Sequence, residues 1–200
     1  MRAFDSSKIP FPKGYEDFAV PLGFDAYVLE IGAGVGWNAE TYARANPRHF
    51  VMAVEHSHER FGKLLNRASE AALPNLVAVQ ADAESFVVHC LRAESLDRVM
   101  LLYPNPYPKA SQANKRWHYM PFMAELVSRL KFGGVLQMAT NEDSYAGEFF
   151  EAMQDVWKLE LLLSERASLD ADPDFCPRTH FEKKYYERGE MLHLMEFKKA

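Results

Sequence analysis

The stretch LEIGAGVGWN runs from Leu29 to Asn38. Its first residues complete AYVLEIG (Ala26 to Gly32), an apolar run of strand length. Gly32, Gly34 and Gly36 let the backbone turn tightly before NAETYARA (Asn38 to Ala45), which reads as a helix. Strand, glycine turn and helix open a doubly wound α/β fold, where such a turn passes close to a ligand. A dinucleotide fingerprint would need glycine where Trp37 stands, so GxGxxG is not met. Glu30, just before the turn, is unsuited to a pyrophosphate. A carboxylate there suits a cationic ligand such as the amino and sulfonium groups of S-adenosylmethionine. The same turn can also join a strand to a helix with no ligand; its place in the pattern below favours one.

Outward from this turn, strands and helices alternate. HFVMAVEH (His49 to His56) reads as a strand, ERFGKLLNRASEAA (Glu59 to Ala72) as a helix, and LVAVQAD (Leu76 to Asp82) as a strand. ESFVVHCLRA is helical, RVMLLYP is a fourth strand, and PFMAELVSRL (Pro121 to Leu130) is a helix that FGG should stop. VLQMAT (Val135 to Thr140) is a fifth strand and SYAGEFFEAMQDV a fifth helix, whose aromatic residues sit at core spacing. KLELLLS and MLHLMEFKK end the pattern as two strands joined by a long polar loop with no helix, an antiparallel closing hairpin. The expected fold is α/β, a Rossmann-like seven-stranded sheet, mostly parallel, in one domain over residues 1–200.

In such a sheet ligands bind beyond the carboxyl ends of the strands. Glu55, ending the second strand, can accept both hydroxyls of a ribose. Asp82 and Ala83 follow the third; Asp82 can accept from an adenine amino group or cap the next helix. After the fourth strand comes YPNPYPK (Tyr103 to Lys109), whose prolines stiffen a loop carrying Asn105 and Tyr107. Tyr107 offers a flat face on which a base can stack.

The bulk properties bound the partners. The formal net charge of −5 argues mildly against a nucleic-acid partner, which usually demands a basic surface, so any such contact needs a local basic patch. No apolar stretch is long enough to span a bilayer, and the leading residues lack the core of a signal peptide. Cys90 and Cys176 lie far apart and read as reduced thiols of a cytoplasmic protein. His56 and His58 form a bare H-x-H, too little for a metal site. A monomer or homodimer without metal is expected.

These motifs resemble the bacterial tRNA (guanine-N7-)-methyltransferase family, class I enzymes that use S-adenosylmethionine. LEIGAGVG matches its glycine turn, Glu55–His56 its acid–histidine pair, and Asp82–Ala83 its DA pair. PNPYPK stands for its PDPWPK, KASQANKRW for its basic segment, TNEDSYA for TDxxxYA, and RTHFE for TxFE. The resemblance implies that Glu30, Gly32, Gly34, Gly36, Glu55, Asp82, Ala83 and Asn105 bind cofactor. It places Asn105 at the catalytic aspartate position, and gives Tyr107, Lys109, Asn141, Thr179 and Glu182 to the substrate, a guanine in tRNA. Lys115, Arg116, Arg178, Lys183 and Lys184 flank these residues and are expected to contact the RNA.

The chain departs from the family at both pocket aspartates, which are Asn105 and Asn141 here. An asparagine keeps one acceptor but loses the charge, and its N–H donors would face guanine's own donors unless the amide is turned. The alternatives are the same fold acting on another acceptor such as an exocyclic amine, or a binding protein without turnover.

Overall fold

The computed structural model describes residues 3–170 and 175–200. The run around Leu29 forms β1 (Ala26–Ile31), whose side chains alternate between two cores. Leu29 and Ile31 join one cluster and Val28 the other, so Glu30 shares the face of Val28. On that face lie α1 (Trp37–Ala45) and α2 (His58–Ala71), which contribute Ala39, Ala43 and Leu64. The opposite face is covered by α3 (Ala83–Cys90), α4 (Phe122–Arg129) and α5 (Asp143–Glu151), with Phe86, Met123 and Phe149 fully buried. The EFFEAM aromatics are thus core on one side, as their spacing requires.

The remaining strands are β2 (His49–Val54), β3 (Leu76–Val79), β4 (Leu96–Leu102), β5 (Leu130–Thr140), β6 (Leu159–Ala167) and β7 (Leu192–Lys199). They form one seven-stranded sheet in the order β3-β2-β1-β4-β5-β7-β6. The first five are parallel, and β7 runs antiparallel to both β5 and β6. The chain order reverses across β1 and β4, which makes the crevice there the expected ligand site. Register fixes what meets in it. Ile31 pairs with Val54 and with Leu101, Val54 with Val79, and Leu102 with Ala139. The residues that follow each strand therefore emerge side by side: Gly32, Glu55, the turn to Asp82, Tyr103 and Asn141.

Two expectations are corrected. FGG does not end α4, which stops at Arg129; Phe132, Gly133 and Gly134 lie within β5. Gly133, at φ 77°, takes up a register shift opposite Leu96–Arg98, so the strand continues through the glycines. The connection from β6 to β7 is not helix-free either: it contains α6 (His180–Glu187). Thr179 caps α6, its hydroxyl accepting from the Glu182 N–H at 2.9 Å. Thr179 and Glu182 thus stand at the spacing of a capping box.

The fifth helix also closes differently from its sequence pattern. Past Glu151 it widens into a π-turn over Ala152–Val156. Among the described residues no helix is long and apolar enough to cross a membrane.

Candidate functional site

The glycine turn folds back over β2. The N–H groups of Gly32 and Ala33 both donate to the Val54 carbonyl, at 2.8 and 3.0 Å. Gly32 (φ 71°) and Gly34 (φ 59°) adopt left-handed backbone; a side chain would project into open space at Gly32 and at Gly34 would meet the Gly32 carbonyl oxygen at 4.0 Å. Gly36 serves a different need: a Cβ there would lie 2.5 Å from Leu64 Cδ1, so it lets α1 approach α2. Gly36 lines neither of the cavities described below.

Glu55 fastens this turn. It is buried, with Oε2 accepting from the Gly34 N–H (2.9 Å) and Oε1 from the Ser57 N–H (2.7 Å). Arg60 lies 3.7 Å from Oε1. Asp82 caps α3, its Oδ1 accepting from the Ser85 N–H at 3.2 Å, and it still lines the crevice with Ala83. Its two uses, cap and ligand acceptor, are compatible.

Glu30 is 3 % exposed and accepts from Asn38 Nδ2 at 3.0 Å. Burial pushes its carboxyl up to about 7, and the Asn38 hydrogen bond restrains the rise. In the sequence Asn38 is legible only as a helix residue; its contact with Glu30 needs the strand and helix packed together.

The proline loop is held by its own residues and by one arginine. Tyr103 (φ 54°) and Tyr107 (φ 44°) both sit in the left-handed region, at a cost on the order of 1 kcal/mol each. Asn105 Oδ1 accepts from the Tyr107 N–H at 3.1 Å, closing an Asx turn. Arg116 donates from Nε and Nη2 to the Tyr107 carbonyl (3.2 and 3.0 Å) and pairs through Nη1 with Glu148. Lys115 lies 5.8 Å from the Tyr107 ring centre. Lys109 is exposed and lines neither cavity.

Glu182 is fully buried beneath the site rather than in its wall. It accepts from Tyr103 Oη (2.9 Å), from the Arg178 N–H (2.5 Å) and from the Arg178 guanidinium. Burial, then the neighbouring Glu182, pushes the Tyr103 hydroxyl far up. Tyr103, adjoining the proline loop, gives no sign in the sequence of this support role, because its partner lies 79 positions away. Arg116 and Arg178 are therefore committed inside the protein, and Lys183 lies 3.7 Å from Glu187. The basic surface left to meet RNA is smaller than the sequence implies.

Two cavities open on these residues. The larger, about 830 Å³, is lined by Glu55, Asp82, Asn105, Tyr107, Asn141 and their neighbours. The smaller, about 230 Å³, is lined by Glu30, Gly34, Trp37, Asn38, Thr179 and others. Gly32, Arg60, Leu102 and Phe181 border both, so the two are parts of one crevice. Phe181, Trp117 and Glu142, which the sequence does not single out as pocket residues, line the larger part. His56 also lines it, whereas His58 Nδ1 meets Gln80 Nε2 at 3.1 Å. Among the described residues no three potential ligands cluster for a metal ion.

Residues 25–195 match the family model Methyltransf_4, described as "Putative methyltransferase". The chain is 36% identical over 194 residues to the tRNA (guanine-N(7)-)-methyltransferase of Bordetella pertussis, covering 96% of this chain and 75% of that protein. The enzyme of the same name from Nitrosomonas eutropha is 32% identical over 199 residues, with 96% and 85% covered. The chain belongs to this methyltransferase family.

Solved structures agree on the fold. The 16S rRNA methyltransferase KamB superposes with a TM-score of 0.62 at 18% identity, covering 88% of this chain and 89% of that one. A precorrin-6y C5,15-methyltransferase from Geobacter metallireducens gives 0.62 at 15%, with 90% and 82% covered. The methyltransferase cofactor is S-adenosylmethionine, and the crevice suits it. Gly32 lies where its two parts join, with the buried carboxylate of Glu30 lining the smaller part and Glu55 and Asp82 the larger. The open space at Gly32 leaves room for a ligand close to the backbone.

Proposed function

We propose that the chain methylates N7 of a guanine in tRNA, as one catalytic domain acting in the cytoplasm. The carrying observation is the kinship with enzymes of that name over 96% of the chain. The crevice supports it, since the glycine turn and the proline loop open on the same cavity. The seven-stranded sheet, spanning Ala26 to Lys199, supports the single domain.

In this reading Glu30 faces the cofactor's amino group, Glu55 its ribose and Asp82 its adenine. Gly32 and Gly34 let it lie against the backbone. When bound, S-adenosylmethionine supplies an electrophilic methyl group on a sulfonium. Guanine N7 carries a lone pair and no proton, so the protein needs no general base. Its work is placement and exclusion of water. Tyr107 and Phe181 provide faces for the purine, and Asn105 and Asn141 border it. Thr179 and Glu182 act through α6, holding Phe181 at the crevice and Tyr103 under the loop. Lys109, Lys115 and Lys184 remain for phosphate contacts. The test is transfer of a labelled methyl group to tRNA followed by nucleoside analysis. 7-Methylguanosine is the expected product; methyl on an exocyclic amine would replace this reading.

Glu30 makes cofactor binding depend on pH. Its carboxyl, raised to about 7, is largely protonated below that value in the free protein. A bound ammonium group favours the ionised form, so binding releases a proton there. Affinity should rise by up to about tenfold per pH unit below about pH 7 and level off between there and about pH 8, where the ligand's amino group begins to lose its own proton. Glu30→Gln should flatten the profile and lower its plateau. Calorimetric titration across this range checks it; a pH-independent wild-type affinity would place the amino group away from Glu30.

A further inference from the structure

Asn141, which follows β5, lines the larger cavity. Its Nδ2 donates to Glu190 Oε2 at 2.7 Å and lies 3.5 Å from Glu142 Oε1. Glu190 stands on the turn between α6 and β7, its N–H donating to the Tyr185 carbonyl at 3.1 Å. Arg188 is 3.8 Å from its other carboxylate oxygen. Among the described residues nothing donates to Asn141 Oδ1. A flipped amide would set Oδ1 against the Glu190 carboxylate, acceptor against acceptor, so the orientation is fixed by charge.

We infer that Glu190 is a positioning residue that turns the Asn141 amide oxygen toward the acceptor base and so selects guanine. This rests on the guanine-N7 reading of the same site. Guanine presents N–H donors on its pairing edge, at N1 and the exocyclic amine, and an oxygen there accepts from them. Adenine presents an acceptor at N1, which the same oxygen repels. Glu190 thus lets a neutral amide serve as the acceptor that an aspartate would otherwise supply. It also explains why aspartate is unsuited to position 141 in this chain. Two carboxylates 2.7 Å apart cannot both ionise, so an acid introduced there would take up a proton or swing away.

The test is a double-substitution cycle in the full-length protein, read by methyl transfer to tRNA. Asn141→Asp alone should lower kcat/KM for tRNA guanine by about tenfold or more at neutral pH, and with saturating cofactor its deficit relative to wild type at the same pH should shrink as pH falls toward about 5 and one proton is shared. Glu190→Gln alone should cost about two- to fivefold, because its amide can hold Asn141 in either orientation. Asn141→Asp with Glu190→Gln should return to within about threefold of wild type, since the introduced glutamine amide then donates to a lone carboxylate. At each pH the cofactor affinity of every variant should stay within about threefold of wild type. If Asn141→Asp alone matches or exceeds wild type, or if the double variant stays as poor as the worse single one, Glu190 has no such role. A wild type inert on tRNA guanine would instead overturn the proposed function, and this role with it.

Discussion

Alanine at Glu55 should weaken S-adenosylmethionine binding about a hundredfold. One part of the loss is direct: a ribose bound at this strand end gives up a charged acceptor, worth roughly 1.5–3 kcal/mol. The other part is structural. Glu55 Oε2 holds the Gly34 N–H and Oε1 the Ser57 N–H, so one side chain ties the glycine turn to the start of α2. Without it a buried N–H loses its partner and the turn loosens where the ligand lies against the backbone. Together about 3 kcal/mol is expected, which corresponds to about a hundredfold in Kd. Glu55→Gln keeps one acceptor oxygen and should fall between, at about tenfold. Calorimetry on variants shown by circular dichroism to be folded decides the matter. Wild-type affinity in Glu55→Ala would mean that the ribose contacts something else.

The parts of this site that are readable in the sequence are those carried by strand ends. Alternation of apolar runs with helices requires a parallel sheet, and a parallel sheet brings the residues after β1, β2, β3, β4 and β5 to one edge. Gly32, Glu55, Asp82, Tyr103 and Asn141 therefore gather without knowledge of any side-chain contact. What stays hidden depends on pairs distant in sequence. Arg116 and Arg178 look like free cations because their partners, Glu148 and the buried side of α6, declare themselves only in three dimensions. Glu182 reads as a pocket residue because its motif marks importance, which a buried support also has. Helix α6 is concealed for a local reason. In RTHFEKKYYE the cap signature of Thr179 and Glu182 coincides with a family motif, and the many charges hide the one buried stripe of Glu182 and Tyr186. In FGG the glycines suggest a stop, although glycine also permits a bulge within a strand.

Arg116→Ala should lower kcat/KM on tRNA by about a hundredfold while leaving cofactor affinity nearly unchanged. The arginine lines neither part of the crevice and acts through the loop from Tyr103 to Lys109. It donates twice to the Tyr107 carbonyl and once to Glu148, joining the acceptor loop to α5. Glu148 also meets the buried His118 at 3.2 Å. Burial pulls the Glu148 carboxyl up, but its bonds to Arg116 and His118 outweigh this and hold it below the usual range. The loop needs that clasp because Tyr107 occupies a left-handed conformation that the Asx turn of Asn105 alone holds with one hydrogen bond. Removing the two charged hydrogen bonds to the Tyr107 carbonyl, at roughly 1.5 kcal/mol each, gives about 3 kcal/mol, and that converts to about a hundredfold in rate if the base is misplaced in the transition state. Lysine should not rescue the variant, since a single ammonium cannot reproduce the planar fork that serves Tyr107 and Glu148 together. Steady-state kinetics on tRNA alongside calorimetry with the cofactor separates the outcomes. Equal losses in both would show general unfolding, and a small loss in kcat/KM would show that the prolines hold Tyr107 without help. With the clasp intact, and in the guanine-N7 reading, the amide and the ring stand rigidly at the end of β4 because N7, the methyl acceptor, must meet the methyl group in line with its bond to sulfur, and a mobile loop cannot hold a purine at that angle.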